Sequence, residues 1–206
     1  MERSAIILTS ESLDGFSEDK GLVKLNGKPL VNHVIDSIKG VAEEIIVVVS
    51  AQNQADLYRR VVTPNVEVVI NRAEPKSQLN SALAGFEASH GKYAILLPFD
   101  APFVSKDIAT LLFELAVNKS AVVPRYTNSE IETLQAVYNT SQTMEAIQMA
   151  LTSNQTEIGL VVDKMRGVRY VSMLVFEQID PDLNSFFRVN SPIDLKKASA
   201  MKSKKK

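Results

Sequence analysis

Short apolar, β-branched runs alternate with longer segments of helical period from Ala5 to Val117, and this alternation restricts the fold more than any single motif. It predicts βαβ units, and therefore a mostly parallel sheet with helices on its faces. Strands are expected over residues 5–8, 45–49, 66–70 and 93–97, with helices over 30–39, 52–62, 77–89 and 106–117. Ile45-Ile46-Val47-Val48-Val49 is apolar without interruption, the composition of a strand covered on both sides. Leu30, Val31, Val34, Ile35 and Ile38 form one helical stripe bounded by Pro29 and Gly40. Gly85, inside a helical pattern, reads as a close helix–sheet approach. Ser105 is placed to cap the helix that follows it, with Asp107 favourable in the first turn.

The second half is less regular. Residues 121–124, 134–138 and 168–175 read as strands, two helices are expected within 141–165, and a last helix starts at Ile193. No internal repeat or linker interrupts the chain. The expectation is one domain over residues 1–201, followed by a disordered lysine-rich tail at 202–206.

Composition removes several classes of function. With 206 residues, 45% of them hydrophobic, the chain can bury a sizeable core. A net charge of -1, from 23 basic and 24 acidic residues, gives no field that would draw it to nucleic acid or an anionic membrane. Without cysteine there is no disulfide, thiolate metal site or cysteine nucleophile, and two histidines leave little for a histidine metal site. Met1-Glu2-Arg3-Ser4 leads straight into a strand, and no apolar run approaches the roughly 20 residues of a membrane span, so a cytoplasmic location is expected.

Open α/β sheets bind ligands beyond the carboxyl ends of their strands, which directs attention to residues 9–20, 50–53, 71–78 and Asp100. Asp100 follows an apolar strand and lies between Phe99 and Pro102. It reads either as a rigid carboxylate for a hard cation such as Mg²⁺ or as a turn cap. Lys20 reads either as a phosphate-neutralising ammonium or as a surface lysine paired with Glu18 or Asp19. Lys28, at a helix start, is a weaker anion candidate. His33 and His90 read as boundary and surface residues. There is no Gly-x-Ser-x-Gly elbow, Walker loop or Rossmann glycine fingerprint.

Several segments together carry a resemblance. They are Leu8, Asp19-Lys20-Gly21-Leu22, Leu25-Asn26-Gly27-Lys28-Pro29-Leu30, Asp100 with Pro102-Phe103, Leu134-Gln135-Ala136-Val137-Tyr138, and Val189-Asn190-Ser191-Pro192-Ile193-Asp194-Leu195. In this order and spacing the chain resembles the molybdenum cofactor guanylyltransferases, the MobA-like branch of the nucleotidyltransferases. The resemblance implies a three-layer αβα Rossmann-like sandwich of the nucleotide-diphospho-sugar transferase kind, with a mostly parallel sheet and at least one antiparallel strand. It implies transfer of GMP from GTP to molybdopterin, with Mg²⁺ and release of pyrophosphate. Lys20 and Asp100 are then the catalytic positions, and Asp100 the metal ligand. Leu8, Thr9, Ser10, Lys20, Asn71 and Asp100 are nucleotide contacts, and Asn190 an acceptor contact. GTP or another NTP and molybdopterin are the implied partners, with molybdoenzyme-maturation proteins as further contacts and a monomer or weak homo-oligomer as the state.

The chain also departs from the family pattern. Ser10 and Glu11 stand where paired glycines are usual, Gly15 where an arginine is, and Arg188 where the late motif carries its first asparagine. Asn71-Arg72 replaces an expected aspartate, so the base could be guanine or cytosine. Arg72, Lys76 and Arg188 are the charges available to compensate. A binding protein with impaired catalysis, and a transferase acting on another phosphorylated acceptor, are the alternative readings.

Overall fold

The computed structural model describes residues 2–9 and 19–203. β1 (Arg3–Leu8) is an interior strand of the main sheet. A hairpin of β2 (Lys24–Leu25) and β3 (Lys28–Pro29) precedes α1 (Leu30–Ile38). There follow β4 (Glu44–Val49), α2 (Gln52–Val61), β5 (Val66–Ile70), α3 (Gln78–Ala88), β6 (Tyr93–Pro98) and α4 (Lys106–Leu115). The second half comprises β7 (Ala121–Arg125), β8 (Ala136–Asn139), α5 (Thr140–Thr152), α6 (Ile158–Val162), β9 (Val168–Ser172), α7 (Met173–Glu177) and α8 (Pro192–Ser203).

The main sheet has the order β5-β4-β1-β6-β8-β7-β9. β8 alone among its described strands runs antiparallel to its neighbours; β1, β4, β5 and β6 pair in parallel. The chain builds outward from β1 through β4 to β5, then returns to place β6 on the other side of β1. That reversal puts the topological switch point between β1 and β6, where ligand crevices form in open α/β sheets.

Strand side chains alternate between two packed faces. Ala5, Ile7, Val47, Val49, Ile95 and Leu97 join the stripe of α1 and the inner faces of α2, α4 and α7. Ile6, Leu8, Ile46, Val48, Ala94 and Leu96 meet α3, α5 and α6. The result is the expected αβα arrangement. A satellite cluster of Val23, Leu25, Leu30, Val189 and Ala198 docks α8 onto the small hairpin, which brings the segment before α8 over the switch point.

Three local expectations are corrected. Asn26 and Gly27 both have positive φ, 52° and 82°, which makes a two-residue hairpin turn where a direct helix start was expected. The strand expected over 168–175 stops at Ser172, whose hydroxyl accepts the Leu174 N–H and caps α7. Met173 and Phe176, one helical turn apart, then enter the core. Helical backbone also continues through Ser203, two residues into the expected tail, while 204–206 lie outside the described residues.

Candidate active site

β1 and β6 run in register to Leu8 opposite Pro98, and the Phe99 N–H donates to the Leu8 carbonyl at 3.2 Å. Thr9 and Asp100 therefore leave the sheet side by side. Beyond them opens a cavity of about 350 Å³, within the usual range for a small-molecule site. Leu8, Thr9 and Ser50 form one wall, Lys76, Ser77, Gln78 and Ser81 at the first turns of α3 a second, and Leu134, Arg188 and Asn190 a third. Lys20 and Asp100 lie between them.

Lys20 is only 3% exposed and Asp100 only 2%. The Lys20 Nζ donates to Asp100 Oδ2 at 2.9 Å and to Asn190 Oδ1 at 3.1 Å, and it stands 5.5 Å above the Phe99 ring. The Arg188 Nε donates to the other oxygen, Asp100 Oδ1. A charge this deeply buried persists only when paired and hydrogen-bonded, and here four residues provide that mutual support. An ammonium carries three donors, so with two engaged Lys20 retains one for a ligand. The surface-lysine reading is thereby corrected: Lys20 pairs with Asp100, eighty positions away in sequence, and not with Asp19.

Asp19 instead fixes the turn that aims Lys20. Its carboxylate accepts the Gly21 N–H at 3.0 Å, the Tyr58 hydroxyl at 2.7 Å and the Gln54 amide at 2.6 Å. Burial, and then the Asp19 charge and hydrogen bond, push the Tyr58 hydroxyl far above its ordinary pKa, so it remains a donor. A Cβ on Gly21 would lie 1.9 Å from that hydroxyl, which explains the glycine. The Val189 N–H donates to the Asp100 carbonyl at 2.9 Å and ties down the strap that carries Arg188 and Asn190. Ser191 and Asp194 cap the start of α8 behind it; hydrogen bonding to Ser191 and to the Asn190 N–H holds the Asp194 carboxyl below its ordinary range.

Of the expected site residues, Lys20, Asp100 and Asn190 meet directly, and Leu8 and Thr9 line the same cavity. Thr9 lines the cavity with its N–H and its hydroxyl both donating to the Val48 carbonyl. Asn71 stands behind the wall. Its amide donates to the Ser81 hydroxyl at 3.1 Å, and its carbonyl accepts Lys76 Nζ at 2.9 Å, so it positions two lining residues. Ser10 and Glu11 lie outside the described residues.

Two features of the site escaped sequence reading. Glu132 neighbours the Asp100–Arg188 pair; burial pushes its carboxyl up, and the Asp100 charge adds to the rise while the Leu134 N–H and Arg188 oppose it. Gln135 reaches the Ser185 carbonyl at 2.9 Å and anchors the strap from below. Glu132 lies outside any periodic pattern, Gln135 was read only as a member of the strand expected over 134–138, and both contacts join segments that only the fold brings together. His90 is exposed beside Glu44, as read, whereas His33, read as a boundary residue, is buried with its Nε2 3.0 Å from the Leu25 carbonyl.

A divalent ion at Asp100 was expected, and the donor set argues against a directly coordinated one. Mg²⁺ takes six oxygens in near-octahedral array, commonly one or two carboxylates with phosphates and water. Both Asp100 oxygens here face a cationic nitrogen, Lys20 on one and Arg188 on the other. A metal bonded to this carboxylate would share it with two positive charges, so the arrangement does not fit one.

Comparison with known proteins places this geometry. A family model described as the MobA-like NTP transferase domain matches residues 5–164. A probable molybdenum cofactor guanylyltransferase of Pyrococcus horikoshii is 28% identical over 202 residues, covering 95% of this chain and 98% of its own. One from Methanosarcina acetivorans is 27% identical over 182 residues, covering 86% and 80%. Among solved structures, molybdopterin-guanine dinucleotide biosynthesis protein A from Archaeoglobus fulgidus superposes with a TM-score of 0.81 at 22% identity, over 98% of this chain and 99% of that one. A 4-diphosphocytidyl-2C-methyl-D-erythritol synthase from Anaerococcus prevotii shares the fold at a TM-score of 0.73 and 14% identity, over 98% and 96%.

Proposed function

The chain belongs to the MobA-like NTP transferase family, and from that premise we propose that it transfers GMP from GTP to molybdopterin with release of pyrophosphate. The observation that carries this reading is the Lys20–Asp100–Arg188–Asn190 cluster beneath the cavity at the switch point of the sheet. The relatives named as guanylyltransferases support the choice of nucleotide and acceptor.

In this reading the acceptor's terminal phosphate oxygen attacks the α-phosphorus of GTP. A new P–O bond forms, the bond to the β-phosphate oxygen breaks, and pyrophosphate leaves with that electron pair. An ionised phosphate is already a nucleophile, so no protein base is needed. The protein's task is positioning and charge stabilisation. Lys20 directs its remaining N–H at the phosphates, and Arg188 and Lys76 add positive charge on two further walls. Asn190, beside Lys20, faces the acceptor. Asn71 acts through Lys76 and Ser81.

The same reading makes it a cytoplasmic protein with small-molecule partners; among the described residues no helix is long and apolar enough to cross a membrane. The single-domain reading of 1–201 rests on the one continuous main sheet.

The test is pyrophosphate release with GTP, CTP or ATP and molybdopterin as acceptor. Release with GTP is expected, falling on the order of 100-fold or more in Lys20→Ala, the cost of losing one preorganised donor to a developing charge. Unchanged release in both Lys20→Ala and Asp100→Asn would overturn the assignment, and a preference for CTP would move the nucleotide while leaving the chemistry.

A further inference from the structure

We propose that Arg188 is a built-in replacement for a divalent ion at Asp100, so that this chain binds the pyrophosphate portion of its substrate without a metal bridging to that carboxylate. The ligand is an oligophosphate, and to that extent the proposal rests on the nucleotidyl-transfer reading.

Both carboxylate oxygens of Asp100 are engaged by cations. Lys20 occupies Oδ2, and the Arg188 Nε occupies Oδ1. A divalent ion at a strand-end carboxylate bridges protein to phosphate: it satisfies the carboxylate on one side and presents positive charge to the ligand on the other. Arg188 has the same two-sided form. Its Nε is spent on Asp100, while the guanidinium carries five N–H donors in a fixed fork, suited to bidentate contact with phosphate oxygens. The side chain is 29% exposed whereas Asp100 is 2% exposed, so its unspent face has access to the cavity it lines.

Its support is specific to one ion pair. Backbone bonding of Val189 to Asp100 holds the neighbouring residue in place, and Glu132 contributes a further favourable charge toward Arg188. Arginine is effectively always protonated, so unlike a bound metal this cation cannot be lost to chelation.

The probe is inorganic pyrophosphate, titrated calorimetrically into the full chain with EDTA or with excess Mg²⁺. The wild-type protein is expected to bind it with affinities within about threefold in the two conditions. Arg188→Asn is expected to lose at least tenfold in EDTA and to recover most of that loss with Mg²⁺, because Asp100 Oδ1 becomes available. Arg188→Lys, which keeps the charge, is expected to remain indifferent to metal, and guards against a fold defect in the asparagine variant. Wild-type binding that drops tenfold or more in EDTA would overturn the proposal, as would no binding in either condition or an Arg188→Asn loss that Mg²⁺ does not restore. Failure of the transfer reading has a different appearance: metal-indifferent pyrophosphate binding with no release of pyrophosphate from GTP under any acceptor.

Discussion

Lys20 is aimed by its neighbour in sequence, not by its partner in space. Asp19 receives three donors on two oxygens, from Gly21, Tyr58 and Gln54, and so clamps the short 3-10 turn Lys20–Leu22 against α2. Asp19→Asn replaces one acceptor oxygen with an NH₂ group and sets donor against donor. We expect it to cost about 1–3 kcal/mol, the usual penalty for an unsatisfied buried polar group, and to lower the transfer rate because the Lys20 turn loosens. Denaturant melts and steady-state kinetics on the same preparation check both. Gly21→Ala acts on the same turn by another route. Its Cβ would meet the Tyr58 hydroxyl at 1.9 Å and the ring carbon beyond it at 2.9 Å. A loss of about 1–3 kcal/mol is expected from overpacking. Wild-type stability in this variant would show that α2 yields freely and that the clamp is not rigid.

Among the elements, α3 bears most directly on the cavity, since its first turns carry Ser77, Gln78 and Ser81. It can lie close to the sheet because Gly85 faces it: a Cβ there would come within 2.4 Å of the Ile6 Cγ2 and 3.0 Å of the Val48 Cγ2. Gly85→Ala sets about 1 kcal/mol of helix propensity gained against about 1–3 kcal/mol of overpacking lost. The contact is with branched side chains of two central strands, which cannot swing away, so the loss should win. We expect a net destabilisation of about 1–2 kcal/mol and a raised KM for the nucleotide with a smaller change in kcat, read from melts and initial rates. An unshifted melting temperature would count against the close approach. The same helix shows what sequence could convey. Its apolar period, its glycine and the continuous strands β4 and β6 follow from local chemistry, so the sheet and its layers were legible, whereas the pairing of Lys20 with Asp100, eighty positions apart, was not. The turn from β9 into α7 was not, because a run of Val171, Met173, Leu174 and Val175 suits a strand and a buried helical turn equally, and only the Ser172 cap decides. Glu132 and the Tyr58–Asp19 bond were hidden for a different reason: each depends on packing between elements far apart in the chain.

On the scale of the whole molecule, the end opposite the site is pinned by a titrating pair, an exposed histidine on a half-buried carboxylate. Glu44, at the start of β4, accepts from the Ser4 hydroxyl at 2.6 Å, the His90 N–H at 2.9 Å and the His90 ring at 2.8 Å, and so joins β1, β4 and the loop after α3. Burial raises the Glu44 carboxyl, but these hydrogen bonds outweigh it and its pKa falls below the ordinary 4.5. The Glu44 hydrogen bond, and then its charge, raise the His90 pKa above 6.5. The signs follow from linkage. The contribution of His90 is complete below its ordinary pKa of 6.5 and disappears as pH rises through its elevated folded value; that of Glu44 is complete above 4.5 and disappears as pH falls through its depressed one. The pair is therefore fully engaged between those two ordinary values. His90→Gln should lower the melting temperature at about pH 5.5 and have a smaller effect near pH 9, because the wild-type imidazole loses its proton as pH rises while the backbone N–H still serves Glu44. Because Glu44 opens β4 and His90 precedes β6, whereas Asp100 and the Lys20 paired with it lie beyond the carboxyl end of β6, nucleotide transfer by the folded variant should match the wild type at every pH where both are folded. Equal melting shifts at the two pH values would show that His90 contributes by packing and not by charge, while a transfer rate that follows the melting shift would show that the two ends of the sheet are coupled.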